Sequence, residues 1–322
     1  MVQLKKRMVL SFLAGAVLPL ILTAVFQKIP RVEDVESDTI SPTQIIGTVD
    51  AQTMLTVKNQ AGNLQQMSLR EYLVGVVLAE MPADFEEEAL KAQAVVARTY
   101  TQKRMEGDKH GEAAVCMDSG CCQGYRSAED YLGEGGTQRS VDKVRRAVEA
   151  TDALVLEYDG RLIDATYFSC SGGSTEDAVA VWGQDVPYLQ AVDSPGEEDA
   201  PRYSDSVTFT SAELAEKLGF SDDGKPGAWF GDVTHTDGGG VETLTIRGKE
   251  FSGTELRSKL GLRSTAFEVT VSGKKIVITT RGFGHRVGMS QYGAQAMAEA
   301  GSGFEEILAH YYVGTELVNK VT

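Results

Sequence analysis

Leu69, Tyr72, Leu73, Val76 and Val77 recur at three- and four-residue steps, the spacing that places them on one buried stripe of an amphipathic helix. The next position on that stripe is residue 80, and it is a glutamate. Pro82 ends the helix, because its ring clashes with the preceding turn and it has no amide hydrogen. Asp84 and Glu87 have the spacing of a capping box, which predicts a second helix through ALKAQAVVART, with Lys91 and Arg98 on roughly one face. Met54–Val57 reads as a short strand before this helix pair.

The same reading continues along the chain. Val141–Glu149 has a helical pattern, and ALVLEYDGRLIDATYFS alternates as two strands about a turn at Asp159-Gly160. SAELAEKLGF and GTELRSKLGL read as short capped helices, and HTDGGGVETLTIRG as a loop leading into a strand. FEVTVSGKKIVIT reads as a hairpin, Met289–Ala300 as a helix, and FEEILAHYYVGTEL as a closing helix with His310 in its core or at its rim. Strands and helices interleave without regular βαβ spacing, which predicts an α+β fold: a mixed sheet with packed helices rather than a doubly wound sheet. The expected organisation is a tail and anchor over 1–28, a linker over 29–50, and one catalytic domain over 51–322 with an inserted subdomain near 201–262.

The anchor is predicted from Met8–Phe26, an uncharged run of nineteen residues preceded by Lys5, Lys6 and Arg7. That length spans a bilayer, and the positive flank places the N-terminus in the cytoplasm and the rest outside it. LTAVFQKIP is a poor signal-cleavage site, so a retained single-pass anchor is expected. The total charge is −15, and setting aside the four basic groups of the first thirty residues leaves −19 on the remainder. So acidic a domain is a poor match for nucleic acid or anionic headgroups.

Four stretches carry candidate chemistry. Glu80 sits at the inner edge of its helix beside a turn. It is either a helix-ending carboxylate paired with Lys91 or Arg98, or a general acid whose pKa burial raises. His110, Cys116 and Cys122 lie at six-residue steps with Cys121 beside the last, a set that suits zinc with water or Cys121 in the fourth position. The alternative is a disulfide from Cys121 or Cys122 to Cys170, the expected state in an oxidising space. The hydroxyl- and glycine-rich SCSGGSTEDAVAVWG segment, flanked by Trp182 and Tyr188, has the composition of a sugar-holding groove or of a plain Ser/Gly loop. RGFGHRVGMSQYGAQAMAEAG misses the dinucleotide and phosphate-loop spacings; it offers His285, Gln291 and Tyr292 as polar contacts, His285 also reading as a structural histidine.

YLVGVVLAEMPADFEEEALKAQAVVARTY, SGGSTEDAVAVWG with PYLQAV, and GFGHRVGMSQYGAQAMA with HYYVGTEL together closely resemble the stage II sporulation protein D family. That family comprises membrane-anchored peptidoglycan lytic transglycosylases and related amidase-enhancer proteins of spore-forming bacteria. The resemblance implies that Glu80 is the catalytic acid and that Arg98, Ser171, Thr175, His285, Gln291 and Tyr292 line a glycan groove. It implies zinc on His110, Cys116 and Cys122, in a structural role remote in sequence from Glu80. It also implies a sporulation amidase and a multi-pass membrane protein as partners, at the engulfing mother-cell membrane. Two positions depart from the family: Arg286 stands where glycine is usual, and Cys170 where many members have threonine. The reaction implied is cleavage of the MurNAc–GlcNAc bond with closure of a 1,6-anhydro ring, which needs one carboxylate rather than two; Asp84 or Glu86 as a second acid would make a hydrolase. The alternative in another class is a non-catalytic glycan-binding or amidase-enhancing module. A zinc amidase or peptidase has no HExxH-type pair to support it.

Overall fold

The structure, a computed structural model, describes residues 48–320. The expected anchor at 8–26 lies outside the described residues, and no helix among these is long and apolar enough to cross a membrane. The architecture is α+β, but the strands form several small sheets of two or three strands rather than one mixed sheet. The strands are short, many of two to five residues, and helices or long loops separate most of them, so no extended ladder can form.

Two hydrophobic cores organise these elements. The first is built on the helices Leu69–Glu80, Glu87–Met105, Gln138–Ala150 and Phe304–Tyr311. Leu69, Tyr72, Leu73, Val76 and Val77 are fully buried, as their spacing predicts, and Val74 and Leu78 are buried too, so this is a core helix rather than a surface one. Burial of each large apolar side chain contributes about 1.5–3 kcal/mol. Ser68 caps the helix by accepting from the Glu71 amide, and Met81 leaves it in an extended conformation, as a residue before proline must.

The second helix starts later than the Asp84–Glu87 spacing predicts. Its N-cap is Glu86, with no side-chain cap bond, because Pro82 to Phe85 form a turn in which the Phe85 amide donates to the Pro82 carbonyl. Lys143 holds that turn by donating to the carbonyls of Asp84 and Phe85.

The second core lies within Ser204–Arg281, where two antiparallel three-stranded sheets pack on the helices Ser211–Leu218 and Gly253–Leu260. The hairpin Phe267–Arg281 belongs to this core, since Lys275–Arg281 pairs with Thr210–Ser204. The chain enters at Tyr203 and leaves at Gly282, whose amide donates to the Tyr203 carbonyl at 2.7 Å.

Arg286 fastens the two cores together. It is fully buried, with Nε donating to the Ser171 carbonyl (2.7 Å), Nη1 to Glu176 (2.8 Å) and Nη2 to the carbonyls of Ser174 and Gly238 (2.7 Å each). Its backbone is left-handed, with φ +66°, a conformation that costs a non-glycine residue and that the four contacts hold in place.

Candidate active site

Glu80 ends its helix half-buried at the wall of an open cleft of about 640 Å³. Neither pairing that the spacing allowed is made. Lys91 binds Glu87 and Glu88, and Arg98 binds Asp50. Burial raises the Glu80 pKa, opposed by the Gly124 amide, which donates to Oε1 at 2.5 Å, and by the Tyr167 hydroxyl. Burial is the largest influence, so this carboxyl holds its proton more tightly than an ordinary exposed one.

Glycines deliver that amide. Residues 123–126 run against the Glu80 helix, with the Arg126 amide on the Gly75 carbonyl and the Tyr125 ring stacked beside Tyr72 at 5.8 Å. A Cβ on Gly75 would stand 2.3 Å from that tyrosine ring, and one on Gly124 would stand 2.9 Å from Glu80 Oε1. Only glycine lets the backbone approach the carboxylate so closely.

Tyr167 comes from a short strand that pairs in parallel with Met289–Ser290. Its phenol has one proton and two acceptors, Glu80 and Gln123 Oε1 at 3.3 Å. Gln123 is itself buried and donates to Thr101 at 3.0 Å. The proton on Tyr167 can therefore turn to Glu80 when the carboxyl ionises and to Gln123 when it is protonated.

His285 lines the cleft but is not a free acid or base. Its Nδ1 accepts the Val287 amide at 3.1 Å, and its other nitrogen faces the Tyr167 carbonyl. Burial, with the positive charge of Arg257 nearby, pushes its pKa down to about 4, so it stays neutral and orients Tyr167. Gln291 and Tyr292 also line the cleft: Gln291 reaches Gln93 at 3.4 Å, and Tyr292 packs edge-on against Phe85 at 5.1 Å. The exposed Trp182 lies 5.4 Å from the His285 ring, extending the aromatic wall.

Three expected groove residues do not reach the cleft. Arg98 is fully buried and makes a bidentate pair with Asp50 while donating to the carbonyls of Val148 and Leu154. It ties the first described helix, Val49–Gln52, to the domain, because a guanidinium out of water needs a full set of acceptors. Ser171 is buried on Glu197, donating its amide (2.7 Å) and its hydroxyl (2.9 Å). Thr175 donates to the Gln190 carbonyl and accepts the Val192 amide. Glu197, which carried no sequence signal, also accepts from the Cys170 thiol, the Gly172 amide and Ser194. The SCSGG loop is thus wrapped on a buried carboxylate, and Cys170 is far from making a disulfide: all four cysteines are free thiols.

His110, Cys116, Cys121 and Cys122 do converge, with ligand atoms all within 4.8 Å of one another, and can hold a metal ion. His110 Nε2 lies 3.1 Å from Cys122 Sγ and 3.8 Å from Cys121 Sγ, the compactness a tetrahedral soft-ligand site requires. This cluster is remote from Glu80 in sequence but not in space. Cys122 lines the same cleft, and Gly124 lies two residues further on.

Among the described residues, no second carboxylate lines the cleft. Asp84 and Glu86 face a separate hollow near Gln295. Another hollow of about 510 Å³ meets Glu80 on the Gly124 side and includes Asp118, whose Oδ1 accepts the Gly120 amide at 2.8 Å.

Fold and cleft together define an α+β protein with one carboxyl of raised pKa in an aromatic-walled cleft, beside a His/Cys cluster that could hold a metal ion. The chain matches the family model SpoIID, stage II sporulation protein, over residues 57–158. It is 41% identical over 261 residues to stage II sporulation protein D of Bacillus subtilis (strain 168), an alignment that covers 79% of this chain and 76% of that protein. Identity to stage II sporulation protein D of Bacillus amyloliquefaciens is 40% over 261 residues, covering 79% and 75%. It is 32% identical over 305 residues to the amidase enhancer of Bacillus subtilis, covering 77% of this chain and 40% of that protein. The chain belongs to the stage II sporulation protein D family.

Proposed function

We propose that this protein is a peptidoglycan lytic transglycosylase of sporulation, cleaving the MurNAc–GlcNAc bonds of peptide-stripped glycan strands through Glu80. The observation that carries this reading is the single carboxyl of the cleft, its pKa raised by burial and without an acidic partner among the described lining residues. Protonated Glu80 donates its proton to the glycosidic oxygen as the C1–O bond breaks and positive charge develops at C1. The resulting carboxylate is held by the Gly124 amide and the Tyr167 hydroxyl. It then takes the proton of the same sugar's 6-hydroxyl as that oxygen bonds to C1, closing the 1,6-anhydro ring and restoring protonated Glu80. An intramolecular nucleophile replaces water, so the second carboxylate of a glycosidase is not required.

We further infer that the metal cluster is a structural zinc site, with His110, Cys116 and Cys122 as ligands and Cys121 in the fourth position. Bound there, zinc supplies a cross-link that fixes the segment carrying Gly124. The function proposed at the membrane follows from the N-terminal anchor expected at 8–26, with the domain outside the cytoplasm. Its proposed partners are a sporulation amidase that frees glycan of stem peptides and a multi-pass protein that holds both.

Mass spectrometry of the products from peptide-free strands, with wild type and Glu80→Gln side by side, tests the reading. Anhydro-ended products that disappear in the variant are expected. Reducing ends without the anhydro ring would make the protein a hydrolase and point to Asp118. Intact strands with both proteins would leave a non-catalytic glycan-binding module of the amidase-enhancer kind.

A further inference from the structure

Arg202 is an exposed residue of the cleft wall and makes no ion pair among the described residues. Ala200–Tyr203 form a turn in which the Tyr203 amide donates to the Ala200 carbonyl at 2.9 Å, and Pro201 occupies the position where its fixed φ preorganises the bend. The Arg202 guanidinium lies 5.0 Å from the centre of the Phe283 ring, and both residues line the cleft that holds Glu80. The backbone is thus set by a turn and the side chain by an aromatic face, while the donors at its tip remain free.

Its neighbours are different. Arg263, which shares the Phe283 ring at 5.9 Å, is paired with Asp205 at 3.0 Å. Arg281 is paired with Glu268 at 3.6 Å. Arg202 makes no ion pair or hydrogen bond among the described residues, in a chain whose acidic residues outnumber the basic ones by 46 to 31. An arginine in that setting that has not collected a carboxylate is placed to receive one from a ligand.

We infer that Arg202 binds the D-lactyl carboxylate of a muramyl residue, and so makes peptide removal a condition of tight binding. The inference rests on the glycan-strand reading above. In intact peptidoglycan the lactyl carboxyl is an amide, bonded to the stem peptide and uncharged. Amide hydrolysis by an amidase leaves one free carboxylate on every second sugar, and N-acetylglucosamine has none. A planar guanidinium set over the Phe283 ring can present two parallel N–H donors to such a group. Specificity then comes from a charge that exists only on the product of the preceding amidase reaction.

The experiment uses peptide-free strands and the same strands with the lactyl carboxyls capped as methylamides. Binding is measured with Glu80→Gln protein, and turnover with wild type, Arg202→Gln and Arg202→Lys. Wild type is expected to prefer the free-carboxylate strands by about 10- to 100-fold, carried by KM rather than kcat. Arg202→Gln abolishes that preference, in binding as in turnover, and Arg202→Lys restores part of it. Unaltered melting temperatures and circular dichroism identify variants that have kept the fold. A preference that survives intact in Arg202→Gln, or strands bound equally well by the Arg202-containing proteins with and without the cap, overturns the inference. If wild type cleaves neither strand but binds with a preference that Arg202→Gln removes, Arg202 keeps its role and the transglycosylase reading falls.

Discussion

Two glutamates differ in their surroundings, and their hydrogen-bond donors tell them apart. Glu197, 2% exposed, is surrounded by five donors: the Ser171 and Gly172 amides, two hydroxyls and a thiol. Its partner Ser194 meets the Tyr311 hydroxyl at 2.7 Å, which extends the network into the first core. Glu80 is partly buried at the wall of a cleft and has one amide and one phenol. A carboxylate that collects donors from several loops holds those loops together, whereas one with few donors is better suited to exchanging a proton.

The largest effect that would sharpen this contrast is that of Glu80→Gln. We expect strand cleavage to fall by about 10²–10⁴-fold, the usual contribution of a general acid. Stability should move the other way. Burial holds the folded-state pKa of Glu80 above its ordinary 4.5. Between those two values the folded state binds more protons than the unfolded chain, so the stability present at low pH declines as pH rises through the window. Glu80→Gln is therefore expected to melt higher than wild type at pH 8 and to show no such advantage at pH 4. A variant destabilised at pH 8 would place Glu80 with the structural carboxylates.

Glu197→Gln should do the reverse. It turns an acceptor of five bonds into a group with two donors of its own facing other donors, costing about 3 kcal/mol. Denaturant unfolding should show the loss, with cleavage per folded molecule little changed. An equally stable Glu197→Gln protein with lost cleavage would break the comparison.

Removing metal comes next. Chelation is expected to lower the melting temperature and to slow cleavage by up to about 10²-fold, because loosening Cys122 misplaces the amide two residues on that orients Glu80. Zinc added back should restore both. Full activity in a metal-free protein with unchanged melting would detach the cluster from the site.

The smallest effect should come from Tyr167→Phe. Losing a donor to the carboxylate raises the Glu80 pKa further, so the alkaline limb of the pH–rate profile should shift upwards, with about a tenfold loss of rate. A limb that shifts downwards would contradict the hydrogen bond from Tyr167 to Glu80.

What the sequence disclosed follows the range of its interactions. Glu80 was legible because helical periodicity is local, and the stripe from Leu69 to Val77 leads straight to it. The cysteine cluster was legible because its four ligands fall within thirteen residues. Gly124 and Tyr167 carry no such local mark; the first meets Glu80 across 44 residues of chain, and its glycine is explained only by the carboxylate it approaches. Arg98 misled for the same reason: a charge on a helix face points into solvent, a groove or a core depending on a partner, here Asp50, 48 residues earlier. The SCSGGST hydroxyls have a sugar-binding composition, yet Glu197 claims Ser171 and nearby main chain claims Thr175. Arg286 joins loops that neither side of the sequence identifies as neighbours.

Arg286 also sets an order of events. Its bonds to the Ser171 and Gly238 carbonyls close spans of 115 and 48 residues, and the strand bearing Tyr167 pairs with residues 289–290. Contacts of such separation form late, after local helices and hairpins. The helix carrying Glu80 can therefore exist well before the wall opposite it, and a chain still being synthesised has an acid without a cleft. The cleft is complete only once Phe283, His285, Gln291 and Tyr292 have taken their places in its wall.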